Sequence, residues 1–100
     1  MNLDSIRVSE LVQLVNPMIV DIRNYYYYSI GHINGAISVP YYNLLNNYSH
    51  YLNKCSKYYM YCETGEQSLE VVRRLNSFGY DLVSINGGYQ EYLRFIDGLR

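Results

Sequence analysis

Short apolar runs alternate along this chain with stretches of helical spacing. Met18-Ile19-Val20-Asp21-Ile22, which follows Asn16-Pro17, is β-branched and nearly continuous, the pattern of a strand buried on both faces of a parallel sheet. Similar runs recur at Ala36-Ile37-Ser38-Val39, Tyr58-Tyr59-Met60-Tyr61 and Leu82-Val83-Ser84-Ile85. Between them, apolar residues return every three or four positions: Leu11, Val12 and Val15 after a Ser9 cap, then Leu44, Leu45, Tyr48 and Leu52, then Leu69, Val72 and Leu75. Gly79 follows the helical pattern Ser68 to Phe78 and suits a left-handed helix terminus. Gly87-Gly88 ends the next strand and precedes Tyr89, Tyr92, Leu93 and Ile96, an amphipathic closing helix. Strands that alternate with helices, joined by connections long enough for crossovers, predict an α/β fold. The expected sheet is mostly parallel, has about five strands and is covered by helices on both faces.

Length and composition narrow the picture. One hundred residues support one core, so a single domain over 1–100 is expected, with any active site shared among the loops of one sheet. Hydrophobic residues make up 49% and the formal net charge is -1, which gives no electrostatic reason to bind nucleic acid. No apolar run approaches the roughly 20 residues that span a bilayer, so no membrane association is expected. Met1 to Ser5 show no basic cluster followed by an apolar core, and a cytoplasmic location is the expectation. Two cysteines, Cys55 and Cys62, are too few for a disulfide scaffold and read as thiols. Fourteen tyrosines, four of them in the run Tyr25-Tyr26-Tyr27-Tyr28, have no accompanying basic stripe and read as compositional drift, not as a stacking platform.

The chemistry concentrates in Tyr61-Cys62-Glu63-Thr64-Gly65-Glu66-Gln67-Ser68, where a buried strand runs through a short loop into a helix. Cys62 falls at the carboxyl end of the strand, the place where open α/β sheets bind ligands. A following helix turns its free N–H groups and positive dipole end toward that place, an environment that favours thiolate, the nucleophilic form of cysteine. Gly65 lets the backbone curl so that several N–H groups face the sulfur.

With those residues in view, the chain resembles the rhodanese family of sulfurtransferase-like domains over nearly its whole length. The resemblance is carried by Asp21-Ile22-Arg23, Gly31-His32-Ile33-Asn34-Gly35-Ala36, Val39-Pro40, the loop Cys62 to Ser68, and Gly87-Gly88-Tyr89, in the family's order. It implies the rhodanese α/β fold, and it implies that Cys62 takes sulfane sulfur from a small donor such as thiosulfate or a persulfide. The sulfur would then pass to cyanide, another thiol or a protein partner. The intermediate would be a Cys62 persulfide cradled by loop N–H groups from Glu63, Thr64, Gly65, Glu66 and Gln67, with Ser68 closing the loop. No metal or organic cofactor is needed, because the protein nucleophile itself carries the transferred group.

The loop departs from the family pattern in its charge. Many active single-domain members have an arginine just before the serine, where this chain has Gln67, and some have one a residue earlier, where it has Glu66. Glu63 and Glu66 place two negative charges beside a site that would receive a dianion, so thiosulfate is expected to be a poor donor. Asp21 and Arg23 read as partners that tie neighbouring loops. His32, Gly35, Gly87 and Gly88 read as structural, Cys55 and His50 as incidental, and Arg73 and Arg74 as a solvated face. No histidine and cysteine have metal-ligand spacing. Two other functions compete: a catalytically weak module that binds a partner or relays sulfur, and, further off, a cysteine phosphatase or arsenate reductase. The last needs an arginine to clamp an oxyanion, which Gln67 does not supply.

Overall fold

The computed structural model describes residues 4–99; the part of the amino-terminal reading that concerns Met1 to Leu3 lies outside the described residues. The elements run β1 (Ser5–Ile6), α1 (Val8–Leu11), β2 (Met18–Asp21), α2 (Tyr25–Ile30), β3 (Ile37–Ser38), α3 (Tyr41–Asn46), α4 (Tyr48–Tyr51), β4 (Lys57–Tyr61), α5 (Glu66–Asn76), β5 (Asp81–Ile85) and α6 (Gly88–Gly98). The five strands pair in the order β1-β5-β4-β2-β3, and every pairing is parallel. The α/β architecture expected from the alternation of patterns is the one observed.

Period-two alternation sorts each central strand between two cores. Val20, Tyr58, Met60 and Leu82 join Leu44, Leu52, Val71, Val72 and Leu75 beneath α3, α4 and α5. Ile19, Tyr61 and Ile85 join Val8, Leu11, Ile33 and Ala36 on the other face, where Tyr28, Tyr89, Tyr92 and Phe95 of α2 and α6 close the layer. The molecule therefore has three layers, and its central strands β2, β4 and β5 are sandwiched between helices.

Local details differ from the sequence expectation, each for a physical reason. The first helix begins at Val8 with Arg7 as its cap, so Ser9 lies inside it; Val8 and Leu11 make the buried pair, while Val12 and Val15 face solvent. The Glu10 carboxylate accepts the Arg7 N–H, which performs at that end the task assigned to Ser9. The span from Leu44 to Leu52 is two short helices, not one, because Asn47 leaves the helical region between them. The run Ala36 to Val39 forms the edge strand β3, and Ile37 is exposed there instead of buried. In α6 the buried face is Tyr89, Tyr92 and Phe95, and Leu93 points outward. Strand β1, which the apolar runs did not mark, pairs with β5 through Ser5 and Ile6. Gly79 takes the left-handed φ of 98° expected of it after α5. Among the described residues no helix is long and apolar enough to cross a membrane.

Candidate functional site

Strand β4 ends at Tyr61, and the chain turns at once into α5, which starts at Glu66. Cys62 is buried between these two elements, and its Sγ accepts the Gly65 N–H at 3.1 Å and the Ser68 N–H at 3.3 Å. Ser68 is the third residue of α5, so the sulfur takes one of the unpaired donors of the first turn, as a capping oxygen would. Of the N–H groups from 63 to 68, these two are the ones hydrogen-bonded to the sulfur; Glu63, Thr64, Glu66 and Gln67 carry exposed side chains around it.

Two glycines hold this geometry. Gly65 sits at φ 95°, and a Cβ there would lie 2.8 Å from the Gly87 nitrogen. Gly88, at φ 60°, allows still closer approach, since a Cβ would collide with the carbonyl of Cys62 and the backbone of Glu63. That approach lets Tyr89 and Gln90 donate their N–H groups to the Cys62 and Glu63 carbonyls, at 2.9 and 3.1 Å. The first turn of α6 is thus capped by the cysteine loop itself.

Behind the sulfur lies a buried pair of hydroxyls. Ser68 Oγ is 3.5 Å from Cys62 Sγ, 3.2 Å from the Gly65 carbonyl it donates to, and 2.8 Å from Ser84 Oγ. Both serines are buried. Sequence reasoning missed Ser84; the available signal was a hydroxyl interrupting the apolar run Leu82 to Ile85 at a core-facing position.

Asp21 and Arg23 form a buried ion pair at 2.8 Å, and Arg23 also donates to the Gly31 carbonyl at 2.6 Å and to Glu63 at 3.2 Å. Its guanidinium lies 4.1 Å over the Tyr89 ring. Burial works against its charge, but Asp21 and then Glu63 outweigh this and hold it above the ordinary arginine range. Asp21 also accepts from the Tyr61 hydroxyl at 2.7 Å, and that oxygen accepts the Ile33 N–H at 3.0 Å. Burial first, then the hydrogen bond to Asp21, push Tyr61 well above the ordinary tyrosine value.

The remaining residues singled out from sequence divide cleanly. His32 stacks on Tyr28 with Nδ1 2.8 Å from the Tyr28 carbonyl oxygen, and neither it nor Gly35 lines the hollows beside Cys62. Gly87 sits beside Gly65, and a Cβ on it would collide with the Glu91 side chain. Cys55 is exposed, and both cysteines are free. Arg73 reaches Asp4 at 3.4 Å on the surface. The tyrosine run forms α2, capped by the Asn24 side chain, and Tyr28 donates to the Ala36 carbonyl at 2.7 Å, a definite role that compositional drift did not anticipate. Among the described residues no group of three His, Cys, Asp or Glu side chains could hold a metal ion.

Cys62 lines a hollow of about 560 Å³ together with Arg23, Tyr27, Ile30, Glu63, Tyr89 and Leu93 among others. A cysteine beside such a hollow, at the carboxyl end of parallel strands, stands where open α/β sheets bind ligands.

Comparison with known proteins shows a family and a fold. A model of the rhodanese-like domain matches residues 7–94. The chain is 30% identical over 95 residues to a tRNA uridine(34) hydroxylase of Buchnera aphidicola, covering 87% of this chain and 30% of that protein. It is 31% identical over 99 residues to the adenylyltransferase and sulfurtransferase uba4 of Ogataea parapolymorpha, covering 94% of this chain and 24% of that one. The chain therefore spans less than a third of the length of the curated relatives it matches. Among solved structures, a rhodanese-like domain protein from Staphylococcus aureus superposes with a TM-score of 0.79 at 29% identity, covering 89% of this chain and 90% of the other.

Proposed function

Because the chain belongs to the rhodanese-like domain family, we propose that it is a sulfurtransferase in which Cys62 carries sulfane sulfur as a persulfide. The observation that carries this reading is the Cys62 sulfur itself, faced by the Gly65 and Ser68 N–H groups, on a residue that lines a hollow. In the first half-reaction the Cys62 thiolate attacks the outer sulfur of a donor, and the donor's remaining fragment leaves with the electron pair of the broken S–S bond. In the second, an acceptor attacks the outer sulfur of the persulfide and Cys62 leaves as thiolate. Backbone N–H groups that already point at the sulfur stabilise negative charge there without reorganisation. The name of the uba4 relative, which includes sulfurtransferase, supports the same chemistry.

The donor we favour is a persulfide, neutral or borne by a protein, ahead of thiosulfate. Arg23, the cation nearest the loop, is already engaged by Asp21 and Glu63, and Glu66 and Gln67 stand where many family members have arginine. The same charge pattern is the specific observation that favours the second reading, a relay module that accepts sulfur from a partner without turning over thiosulfate. Phosphatase or arsenate reductase chemistry has no free arginine beside Cys62 among the described residues to clamp an oxyanion.

Intact-mass measurement on the reduced protein tests the reading. Incubation with a low-molecular-weight persulfide is expected to add one sulfur atom to the wild type and none to Cys62→Ser, and cyanide is expected to release it as thiocyanate. Absence of the adduct with both a persulfide and thiosulfate would refute sulfur transfer. Faster loading from thiosulfate than from the persulfide would refute the donor preference alone.

A further inference from the structure

Two hollows flank the Cys62 loop, and they differ in chemistry. One carries the carboxylates of Glu63, Glu66 and Glu70 with no lysine or arginine among the described residues of its lining. The other, the hollow of about 560 Å³, has an aliphatic and aromatic wall built by Tyr27 and Ile30 of α2 and by Leu93 of α6. Its one cation among the described residues is Arg23, whose nitrogens are held by Asp21, Glu63 and the Gly31 carbonyl and whose face is covered by Tyr89.

Ile30 is 69% exposed and Leu93 47% exposed. A single exposed aliphatic residue is ordinary in a folded protein. Here two helices that are distant in sequence place large apolar side chains in the lining of the same hollow, and Cys62 lines that hollow as well. On α6 the contrast is internal, because Tyr89, Tyr92 and Phe95 supply the buried face and Leu93 is not needed there. An apolar wall with a few polar groups at its floor is the composition of a small-molecule site, and the volume lies within the range such sites occupy.

We propose that this wall selects the sulfur acceptor by its carbon skeleton, and that the acceptor is an uncharged organic thiol with an alkyl or aryl body. The proposal rests on the sulfurtransferase reading and specifies its second half-reaction. The acceptor loses its proton to solvent, and its thiolate attacks the outer sulfur of the Cys62 persulfide. A new S–S bond forms on the acceptor, the S–S bond at Cys62 breaks, and its electron pair returns to Cys62 Sγ. The product is the acceptor's persulfide, and no oxidant or reductant is consumed. Tyr27, Ile30 and Leu93 contribute by removing the acceptor's methylenes from water, worth up to about fourfold in affinity for each methylene buried.

The test uses straight-chain alkanethiols, whose sulfur reactivity is nearly constant along the series. Cys62 is loaded with one sulfur from inorganic polysulfide, checked by intact mass, and discharged by limiting ethanethiol, butanethiol or hexanethiol, with glutathione and cyanide as hydrophilic acceptors. The discharge rate is expected to rise about twofold to fourfold per methylene until the wall is covered, and hexanethiol is expected to outpace glutathione. Ile30→Ser and Leu93→Ser, both at exposed positions, are each expected to lower the hexanethiol-to-ethanethiol ratio by about threefold. Val15→Ser, at a more exposed position outside the hollow, keeps the ratio, and circular dichroism verifies that each variant is folded. A wild-type ratio within about twofold of one, or a ratio unmoved by both wall substitutions, overturns the proposal. Loaded Cys62 that discharges equally to every thiol leaves sulfur transfer standing and removes the wall's role. Failure of Cys62 to load from polysulfide or from a persulfide removes both.

Discussion

Nη1 of Arg23 lies 3.2 Å from Oε1 of Glu63, so the residue that follows Cys62 is tied across the sheet to the end of β2. The arginine is buried and already bonded to Asp21, whereas the Glu63 side chain is half-exposed. The pair therefore neutralises the one positive charge that the described residues place beside Cys62, while leaving a partly solvated carboxylate at the rim. Glu63→Gln is expected to raise the rate with thiosulfate by about threefold to tenfold, the size of one screened charge acting on a nearby dianion. Thiocyanate release at low and high ionic strength checks this, and the gain should shrink with added salt. A persulfide donor without net charge should respond much less.

Ser68 contributes both an N–H and a hydroxyl to the surroundings of Cys62, and the two can be separated by substitution. Ser68→Ala keeps the N–H at Sγ and removes the link to Ser84. Ser68 Oγ donates to the Gly65 carbonyl and accepts from the Cys62 thiol, so its removal disfavours the thiol relative to the thiolate. Alkylation of Cys62 by iodoacetamide is expected to quicken by roughly threefold to tenfold, the worth of one hydrogen bond. The exposed Cys55 serves as an internal reference in the same sample. An equal change at both cysteines would show that the hydroxyl does not act on the sulfur.

Tyr61→Phe removes a hydroxyl that donates to Asp21 and accepts from Ile33, leaving a buried N–H without its partner. A loss of about 2 kcal/mol in unfolding free energy is expected, read from the shift of the urea midpoint at neutral pH.

The same hydroxyl sets a dependence on alkaline pH. Burial and then Asp21 raise its folded value above the ordinary 10.0. The unfolded chain therefore releases this proton at a pH where the folded chain still holds it. The stabilisation is complete below about pH 10 and is lost as pH rises above it, at up to about 1.4 kcal/mol per pH unit. Between pH 9 and 11 the urea midpoint of the wild type should fall more steeply than that of Tyr61→Phe; parallel slopes would contradict the assignment.

Gly88→Ala would set a methyl group against the Cys62 carbonyl and the Glu63 backbone, at a φ that side chains rarely adopt. Destabilisation of at least about 2 kcal/mol is expected. Because the collision falls on the cysteine loop, sulfur loading by the folded fraction should fall as well. Normal loading after correction for the folded fraction would show that the loop tolerates the displacement.

How much of this was legible in the sequence depended on the range of the interactions. β2, β4 and β5 were marked because strands covered on both faces carry continuous apolar runs, and the end of α5 because Gly79 has a local reason to be there. The start of α1 was misplaced because Ser9 resembles a cap, whereas the register is decided by which of Val8, Leu11 and Val12 reaches the core. The break at Asn47 is likewise a tertiary matter, as Leu44 is buried from α3 and Leu52 from the extended residue that ends α4. At the candidate site, the placement of Cys62 between strand and helix could be read from neighbouring residues, together with the missing loop cation. The Arg23–Glu63 pair, the hydroxyl of Ser84 and the convergence of Ile30 with Leu93 could not, since each joins residues at least sixteen positions apart in the chain.

The capping of α6 by the Cys62 and Glu63 carbonyls has a consequence for the order of assembly. A chain emerging from the ribosome delivers Cys62 more than two dozen residues before Tyr89 and Gln90. Until those residues arrive, the loop's carbonyls have no helix to receive and Gly65 has no Gly87 backbone to press against. The sulfur's own partners Gly65 and Ser68 follow within six residues, but the loop that carries them has its full set of backbone contacts only when α6 docks. Slow docking would lengthen the interval in which a newly made thiol lies open to oxidants, and substitutions on the buried face of α6, far from the sulfur, would be felt first as damage to Cys62 during synthesis.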